Sequence, residues 1–213
     1  MMKNQNNYLY KKRLDILKFA KKIVSKQGLK PDILKIISNQ YNLDKNQTDL
    51  LFPEGNNDLI KFALEQLNID LENFCKKIDL IRLPVHKRIR KILISKILIM
   101  NKEKIFYKKI FLNLLIPKKQ LSLPSQLYKS IDQIWFIAGD SSVDFNFYSK
   151  RLILAGIYTR VILFFFNNDD QITLEKILDA YLQRVKKIPE LKSKINKFNN
   201  IFPNIIKFVK NFN

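Results

Sequence analysis

Residues 131–167 constrain the fold more than any other part of this chain. The first part of this stretch is apolar and stops at Gly139, which predicts a helix end because glycine readily enters the left-handed conformation. Residues 140–144 then offer several side-chain oxygens that can cap a new helix. Residues 145–167 are apolar on nearly every face after Arg151, a pattern typical of a helix buried in a core or in lipid. The uncharged part is too short to cross a bilayer, so we predict the central helix of a soluble helical domain.

The composition favours an all-helical protein. The chain has 213 residues with 4 glycines and 7 prolines, and it contains no long alternation of apolar and polar residues. The single cysteine, Cys75, excludes an intrachain disulfide and fits a reducing compartment. The N-terminus resembles neither a signal peptide nor an Arg- and Ser-rich mitochondrial presequence. We therefore expect a protein of the bacterial cytoplasm.

The net charge of +20 points to an anionic partner, but the part of it that reflects codon usage has to be discounted first. Lys, Asn, Ile and Phe are all abundant, as they are in proteins from AT-rich genomes. The distribution of charge is more informative, because basic residues concentrate in residues 76–119 and 186–213. Two concentrated basic regions suit an anionic surface such as phospholipid.

One face of the predicted central helix differs chemically from the rest. Asp144, Phe147, Tyr148 and Arg151 follow the spacing i, i+3, i+4 and i+7, so they share that face. A helix cap with a surface ion pair would explain this set of residues. An exposed aromatic docking patch would also explain it, since aromatic residues and Arg are enriched at interface hot spots.

The same stretch carries a recognisable pattern. Its residues are Trp135, Ala138-Gly139-Asp140, Asp144-Phe145-Asn146-Phe147-Tyr148, Arg151 and Leu154-Ala155-Gly156-Ile157-Tyr158. They resemble the signature of a coenzyme Q (ubiquinone) biosynthesis family, the lipid-binding accessory proteins that are ninth in the Coq series and have a TetR-like fold. The resemblance is tight over residues 131–168 and loose elsewhere. The family usually has Trp where this chain has Phe147.

The resemblance implies a non-enzymatic protein that binds isoprenoid quinone intermediates, or phospholipid, at the membrane. It also implies that the protein presents these intermediates to the di-iron hydroxylase of the pathway. Phe147 and Tyr148 match the exposed aromatic pair that contacts this partner, and Asp144, Asn146 and Arg151 would frame the patch. By analogy with the fold, we expect a homodimer.

The central helix also supplies the predicted lipid-binding interior, because apolar pockets between helices suit an apolar ligand. Gly156 would leave room for a ligand against the backbone, although close packing of another helix would explain this glycine equally well. The predicted lipid-binding residues are Leu152, Ile153, Ala155, Gly156, Ile157, Ile162 and Phe165.

The N-terminal part is predicted to be a degenerate helix-turn-helix. After a disordered start over residues 1–7, residues 8–55 indicate a helix and two short helices, as in TetR-type proteins, with Asp44 capping the last. A TetR-type transcriptional regulator with a lipophilic effector is therefore the alternative function. However, residues 44–49 have two acids for one lysine, which opposes attraction to phosphates. We therefore expect no DNA binding.

The tail, residues 188–213, repeats apolar residues every three or four positions between lysines, as an interfacial membrane helix does. A helix packed on its own domain or in a coiled coil would show the same spacing, although Pro203 disfavours the coiled coil. With membrane contact, the protein would lie at the inner face of the cytoplasmic membrane. The predicted membrane-binding residues are Leu191, Ile195, Phe198, Phe202, Ile205, Val209 and Phe212.

No catalytic pattern is evident in the sequence. It lacks a glycine-rich phosphate loop, a metal-ligand cluster and a Ser/His/Asp set, and His86 is its only histidine. Asp140 and Asp144 are interpreted as helix caps. We expect no enzyme activity, cofactor or metal, and three parts: an N-terminal part (residues 8–55), a larger helical ligand-binding domain (residues 56–187) and the amphipathic tail helix (residues 188–213).

Overall fold

The fold is known from a computed structural model that describes residues 2–114, 123–140 and 145–186, with side chains described over residues 7–114, 125–140 and 147–183. Over these residues the chain is all-α, which confirms the predicted fold class. The TetR-like arrangement and the three-part division remain predictions. The helices are α1 (Met2–Gln27), α2 (Ile33–Gln40), α3 (Lys45–Leu51), α4 (Asn56–Cys75), α5 (Val85–Asn101), α6 (Lys104–Leu114), α7 (Leu123–Ile137), α8 (Phe145–Asn167) and α9 (Gln171–Lys186).

The core is continuous from α1 to α9. Helix α5 lies at its centre and contacts α4, α6, α7, α8 and α9, while α1 packs on α2 and α6. Fully buried aliphatic side chains from α4, α5 and α7 fill the middle, among them Leu71, Ile92, Leu93, Ile131 and Ile134. No helix in the described part is long and apolar enough to cross a membrane.

The helix predicted over residues 145–167 is confirmed as α8, and its bounds coincide with the apolar run, but the central helix of the core is α5. Helix α8 packs on α7 and α9 and also contacts α5 and α6. Its opposite face stays open, because Leu152 and Leu163 are exposed. An apolar sequence on all faces therefore corresponds here to a helix that is covered on one side only.

Helix α1 begins earlier than the sequence analysis predicted. It starts at Met2 instead of following a disordered segment over residues 1–7. The segment contains neither Pro nor Gly, so nothing in it opposes the addition of helical turns to the amphipathic part that follows.

Helix α7 ends at the glycine that the sequence marked. Gly139 has a φ of 78°, in the left-handed region, as predicted. A Cβ atom at this position would lie 3.2 Å from Nη1 of Arg88, so the backbone also leaves little space there. The same Nη1 donates a hydrogen bond of 3.0 Å to the carbonyl of Ala138. This anchored helix end sets the position of Asp140, which follows directly.

Asp44 caps α3 as predicted, and it forms a complete capping box. The backbone N–H of Gln47 donates to the Asp44 carboxylate over 2.7 Å, and the Gln47 side chain accepts from the Asp44 backbone N–H over 3.3 Å. Two backbone donors that the helix itself cannot pair are satisfied in this way.

We expect that Asp44→Ala lowers the free energy of unfolding by about 1 kcal/mol, the usual contribution of an N-cap side chain. Chemical denaturation followed by circular dichroism measures this loss. Asp49→Ala is the matched control, since it removes an exposed carboxylate from the interior of the same short helix. Equal losses in the two variants would contradict a capping role for Asp44.

Candidate functional site

Two of the predicted partner-binding residues lie at the accessible start of α8. Tyr148 is 43% exposed and Phe147 is half-buried beside it. Their rings meet edge to face, with centroids 5.1 Å apart. Asp144 and the side chain of Asn146 lie outside the described residues.

Arg151 lies beneath this aromatic pair and not on the surface. Only 8% of the residue is exposed. Its Nε is 2.8 Å from the carboxylate of Asp132, and its Nη1 is 3.2 Å from that of Asp140. The same Nη1 donates to the carbonyl of Phe147 over 3.2 Å, and the guanidinium carbon lies 3.3 Å from the centre of the Phe147 ring. One cation thus ties the end of α7 to the first turns of α8.

Asp140 has a larger role than the cap that the sequence analysis assigned to it. Its side chain is only 4% exposed and pairs with both Arg151 and Lys150, with a distance of 2.7 Å to Nζ of Lys150. Lys150 Nζ also lies 5.5 Å from the centre of the Trp135 ring. Four residues of the signature are therefore in one cluster, which we call the Arg151 cluster (Asp132, Trp135, Asp140, Phe147, Lys150 and Arg151).

The surface around Tyr148 is apolar. Leu152 follows one turn later on α8 and is 68% exposed. Tyr128 of α7 is also exposed and is close enough to interact electrostatically with Tyr148 and Arg151. Burial raises the pKa of Tyr128, and the nearby Asp132 adds to this rise, so its hydroxyl stays protonated at neutral pH. We call Tyr128, Tyr148 and Leu152 the aromatic face.

The predicted lipid-binding residues are divided between the two sides of α8. Ile157, Ile162 and Phe165 are buried, whereas Leu152 and Gly156 are exposed. Ile153 and Ala155 are half-buried. A Cβ at Gly156 would meet nothing within 4 Å, so no helix of the described part packs on this glycine. Within the described part of the chain, these residues therefore do not all face the same side of α8.

Two hollows in the described part of the chain are small. One of about 50 Å³ lies between α5, α8 and α9 and includes Phe165. The other, of about 70 Å³, lies between α4, α6, α7 and α8 and includes none of the predicted lipid-binding residues. Sites for drug-sized ligands measure roughly 300–1,000 Å³. Neither of these two hollows is large enough for an isoprenoid tail, and the lipid-binding role of α8 remains a prediction.

The predicted membrane-binding residues of the tail lie outside the described residues. Their contact with lipid remains a prediction. Within the described residues, no group of three or more His, Cys, Asp or Glu side chains is arranged to hold a metal ion.

A buried lysine was not predicted from the sequence. Lys96 is fully buried in the middle of α5. A single charged residue in a run such as ILISKILIM is the signal that could have identified it.

Residues 121–189, which contain the Arg151 cluster and the aromatic face, match the protein-family model described as COQ9. This segment, about a third of the chain, is similar to COQ9 proteins. The resemblance found in the sequence is thereby confirmed. The matched segment contains α7, α8 and α9.

Curated relatives agree with the family match. The mitochondrial ubiquinone biosynthesis protein COQ9 of Rattus norvegicus is 47% identical over 45 residues, which are 21% of this chain and 14% of the relative. The protein of the same name from Homo sapiens is 44% identical over 45 residues, with the same coverage. The probable mitochondrial ubiquinone biosynthesis protein coq9 of Dictyostelium discoideum is 28% identical over 98 residues, which are 33% of this chain and 32% of the relative. The chain thus spans at most about a third of the length of these COQ9 relatives.

The predicted location in the bacterial cytoplasm is wrong. The relatives from rat, cow, human and Dictyostelium are all named as mitochondrial COQ9 proteins. The prediction depended on the single cysteine and on the composition of the N-terminus. A lone cysteine is compatible with either compartment, and a polar N-terminal sequence does not identify a bacterial protein.

Proposed function

We propose that this COQ9-type chain is a non-enzymatic accessory protein of ubiquinone biosynthesis in mitochondria. It binds isoprenoid quinone intermediates at a membrane surface and presents them to the di-iron hydroxylase of the pathway. The observation that carries the proposal is the exposed Tyr148, which is held at the start of α8 over the buried Arg151, inside the segment that matches COQ9.

The geometry supports a docking role because the aromatic face is rigidly backed. The Arg151 guanidinium contacts both the ring and the carbonyl of Phe147, so the first turns of α8 are fixed before any partner arrives. A preorganised aromatic surface loses little conformational entropy on binding. Tyr148 and Leu152 supply the type of apolar contact area that forms interface hot spots.

The basic tail, residues 188–213, completes the proposal. Its alternation of apolar residues and lysines suits a helix that lies in the interface of an anionic membrane. Membrane attachment would place the aromatic face near a membrane-associated enzyme and near the lipid that the chain carries. Pairing of two copies through a surface of this domain is part of the proposal as well.

Deletion of the gene in its own organism should lead to accumulation of an unhydroxylated quinone precursor, measured by mass spectrometry of extracted lipids. Reintroduction of the natural chain should restore ubiquinone. Reintroduction of the Tyr148→Asp variant should fail to do so, because a desolvated carboxylate replaces an aromatic hot spot at the partner surface. The affinity for the hydroxylase should fall at least tenfold, with the free energy of unfolding changed by less than about 1 kcal/mol.

Tyr8→Asp is the matched control, since Tyr8 is exposed on α1 and the same change there leaves the aromatic face intact. This variant should restore ubiquinone. A normal quinone profile in the deletion strain would overturn the proposed pathway. Full restoration by Tyr148→Asp would instead overturn the docking role of the aromatic face.

A further inference from the structure

The core of the molecule contains a lysine that has no counter-ion among the described residues. Lys96 is fully buried in α5. Among the described residues, no Asp or Glu oxygen lies within the 4.0 Å of an ion pair with its Nζ. An ammonium group without a paired acid is costly in a protein interior. Burial accordingly lowers the pKa of Lys96 to about 7.

Neutral oxygens surround this nitrogen. Lys96 Nζ donates to the Ser130 hydroxyl over 2.6 Å and to the side-chain carbonyl of Asn68 over 3.1 Å. The ring of Tyr158 lies on a further side, with its centre 5.6 Å away. The Ser130 hydroxyl also hydrogen-bonds the Tyr158 side chain. Burial raises the pKa of Tyr158 to about 12, so its hydroxyl remains a donor at neutral pH.

Three of these residues form the floor of the hollow of about 70 Å³ between α4, α6, α7 and α8. They are Asn68, Ser130 and Tyr158, and Lys96 lies directly behind them. The walls are apolar, and the mouth carries charged side chains of both signs. The wall residues are Leu64, Phe111, Leu114 and Leu127, and the mouth residues are Lys61, Glu65 and Lys129.

We propose that this hollow is a head-group site, in which a carboxylate or phosphate attached to an apolar chain contacts Ser130 and Tyr158 and is held by the positive charge of Lys96. The proposal rests on the lipid-binding part of the proposed function, and it adds an anionic amphiphile such as phospholipid to the quinone intermediates. It places the polar end of the ligand between α4 and α7, away from the predicted lipid-binding residues of α8.

Charge and shape both support an anionic amphiphile. Because the Ser130 hydroxyl oxygen accepts a hydrogen bond from Lys96, its own O–H is left to donate, either to Tyr158 or to a ligand oxygen. Hydrogen bonds in such a chain strengthen one another, and a cation at its end strengthens them further in a low-dielectric site. The apolar walls favour a hydrocarbon chain next to the head group over a free, fully hydrated anion.

Isothermal titration of the full chain with octanoate, octyl phosphate, inorganic phosphate and octanol tests the site. Octanoate or octyl phosphate should bind, inorganic phosphate should bind at least tenfold more weakly, and octanol should bind most weakly. Tight binding of inorganic phosphate alone would overturn the amphiphile class. Equal binding of octanol and octanoate would overturn the role of charge.

Lys96→Met removes the charge at nearly the same side-chain length. It should weaken binding of octanoate at least tenfold and leave binding of octanol unchanged. Lys87→Met is the matched control, because Lys87 is an exposed lysine of the same helix. The affinity of this variant for octanoate should equal that of the natural chain. Unchanged octanoate affinity in Lys96→Met would overturn the proposal.

A second measurement uses the natural chain, so it does not depend on whether the Lys96→Met variant folds. The 13Cε resonance of Lys96 in the natural chain reports its own titration, and octanoate should raise the pKa of Lys96 because an anion beside it stabilises the ammonium form. An unmoved titration would overturn the proposal. If octanoate binds through Lys96 but reintroduction of the chain does not restore quinone hydroxylation in the deletion strain, the head-group site stands and the proposed function is refuted.

Discussion

Replacement of Arg151 by Met should lower the free energy of unfolding by about 3–5 kcal/mol, the usual loss when one partner of a buried ion pair is removed. The variant leaves Asp140, whose side chain is 4% exposed, with one cation fewer in a site that water scarcely reaches. It also removes the hydrogen bond to the Phe147 carbonyl and the contact with the Phe147 ring. These losses occur together where α7 meets α8.

Urea denaturation followed by circular dichroism measures this effect. Arg82→Met is the matched control, because the Arg82 side chain is 89% exposed and pairs with Asp79 in solvent. Exposed pairs of this kind contribute about 0–1 kcal/mol, so the control should remain close to the natural chain. Asp140→Asn in the Arg151→Met background should recover part of the loss, since the buried carboxylate that has lost one of its cations is then removed.

The Arg151 variants also separate positioning from contact in the proposed function. Arg151→Met should weaken binding of the hydroxylase although Arg151 lies beneath the aromatic face, because the first turn of α8 loses its anchor to α7. A loss below about 1 kcal/mol in Arg151→Met would contradict the buried pairing that the structure shows.

The stability of the protein should rise between pH 7 and pH 10 because of Lys96. Its pKa is about 7 in the folded chain, against 10.5 for an ordinary lysine. Over this range the unfolded chain binds a proton at this site that the folded chain has already lost, so the free energy of unfolding increases with pH. The destabilisation caused by burial of the Lys96 ammonium group is fully present below pH 7 and disappears as the pH passes 10.5. The expected gain from pH 7 to pH 10 is about 3–4 kcal/mol.

Lys96→Met isolates this contribution. The variant should lack the gain, so the difference in unfolding free energy between the two proteins should change with pH by the same amount. Burial raises the pKa of Cys75, which lowers stability above about pH 9, the ordinary pKa of a thiol. Both proteins retain Cys75, so its effect cancels in the comparison. If the unfolding free energies of the two proteins changed with pH in parallel, this would contradict a destabilising buried charge on Lys96.

Local features were predicted well from sequence. The bounds of α8, the left-handed Gly139 and the Asp44 cap all depend on residues within a few positions of one another. Helix periodicity, glycine conformation and capping are decided by such short-range physics. The COQ9 resemblance was also recognisable because its residues lie in one continuous segment.

Which residues of a helix face the core could not be predicted in the same way. Arg151 was expected at the surface from its spacing, but it is buried and pairs with the buried Asp140 and the partly exposed Asp132. Leu152 and Gly156 were expected inside, but no helix in the described part covers them.

The sequence by itself determined that the described chain is helical, where α8 begins and ends, and which family its α7–α8 segment resembles. Only the tertiary structure decided that Arg151 and Lys96 lie inside. The physical reason is that secondary structure follows from neighbours along the chain, whereas the burial of a charge depends on partners from other helices. Lys96 and Ser130, which are 34 positions apart, meet only when α5 and α7 pack.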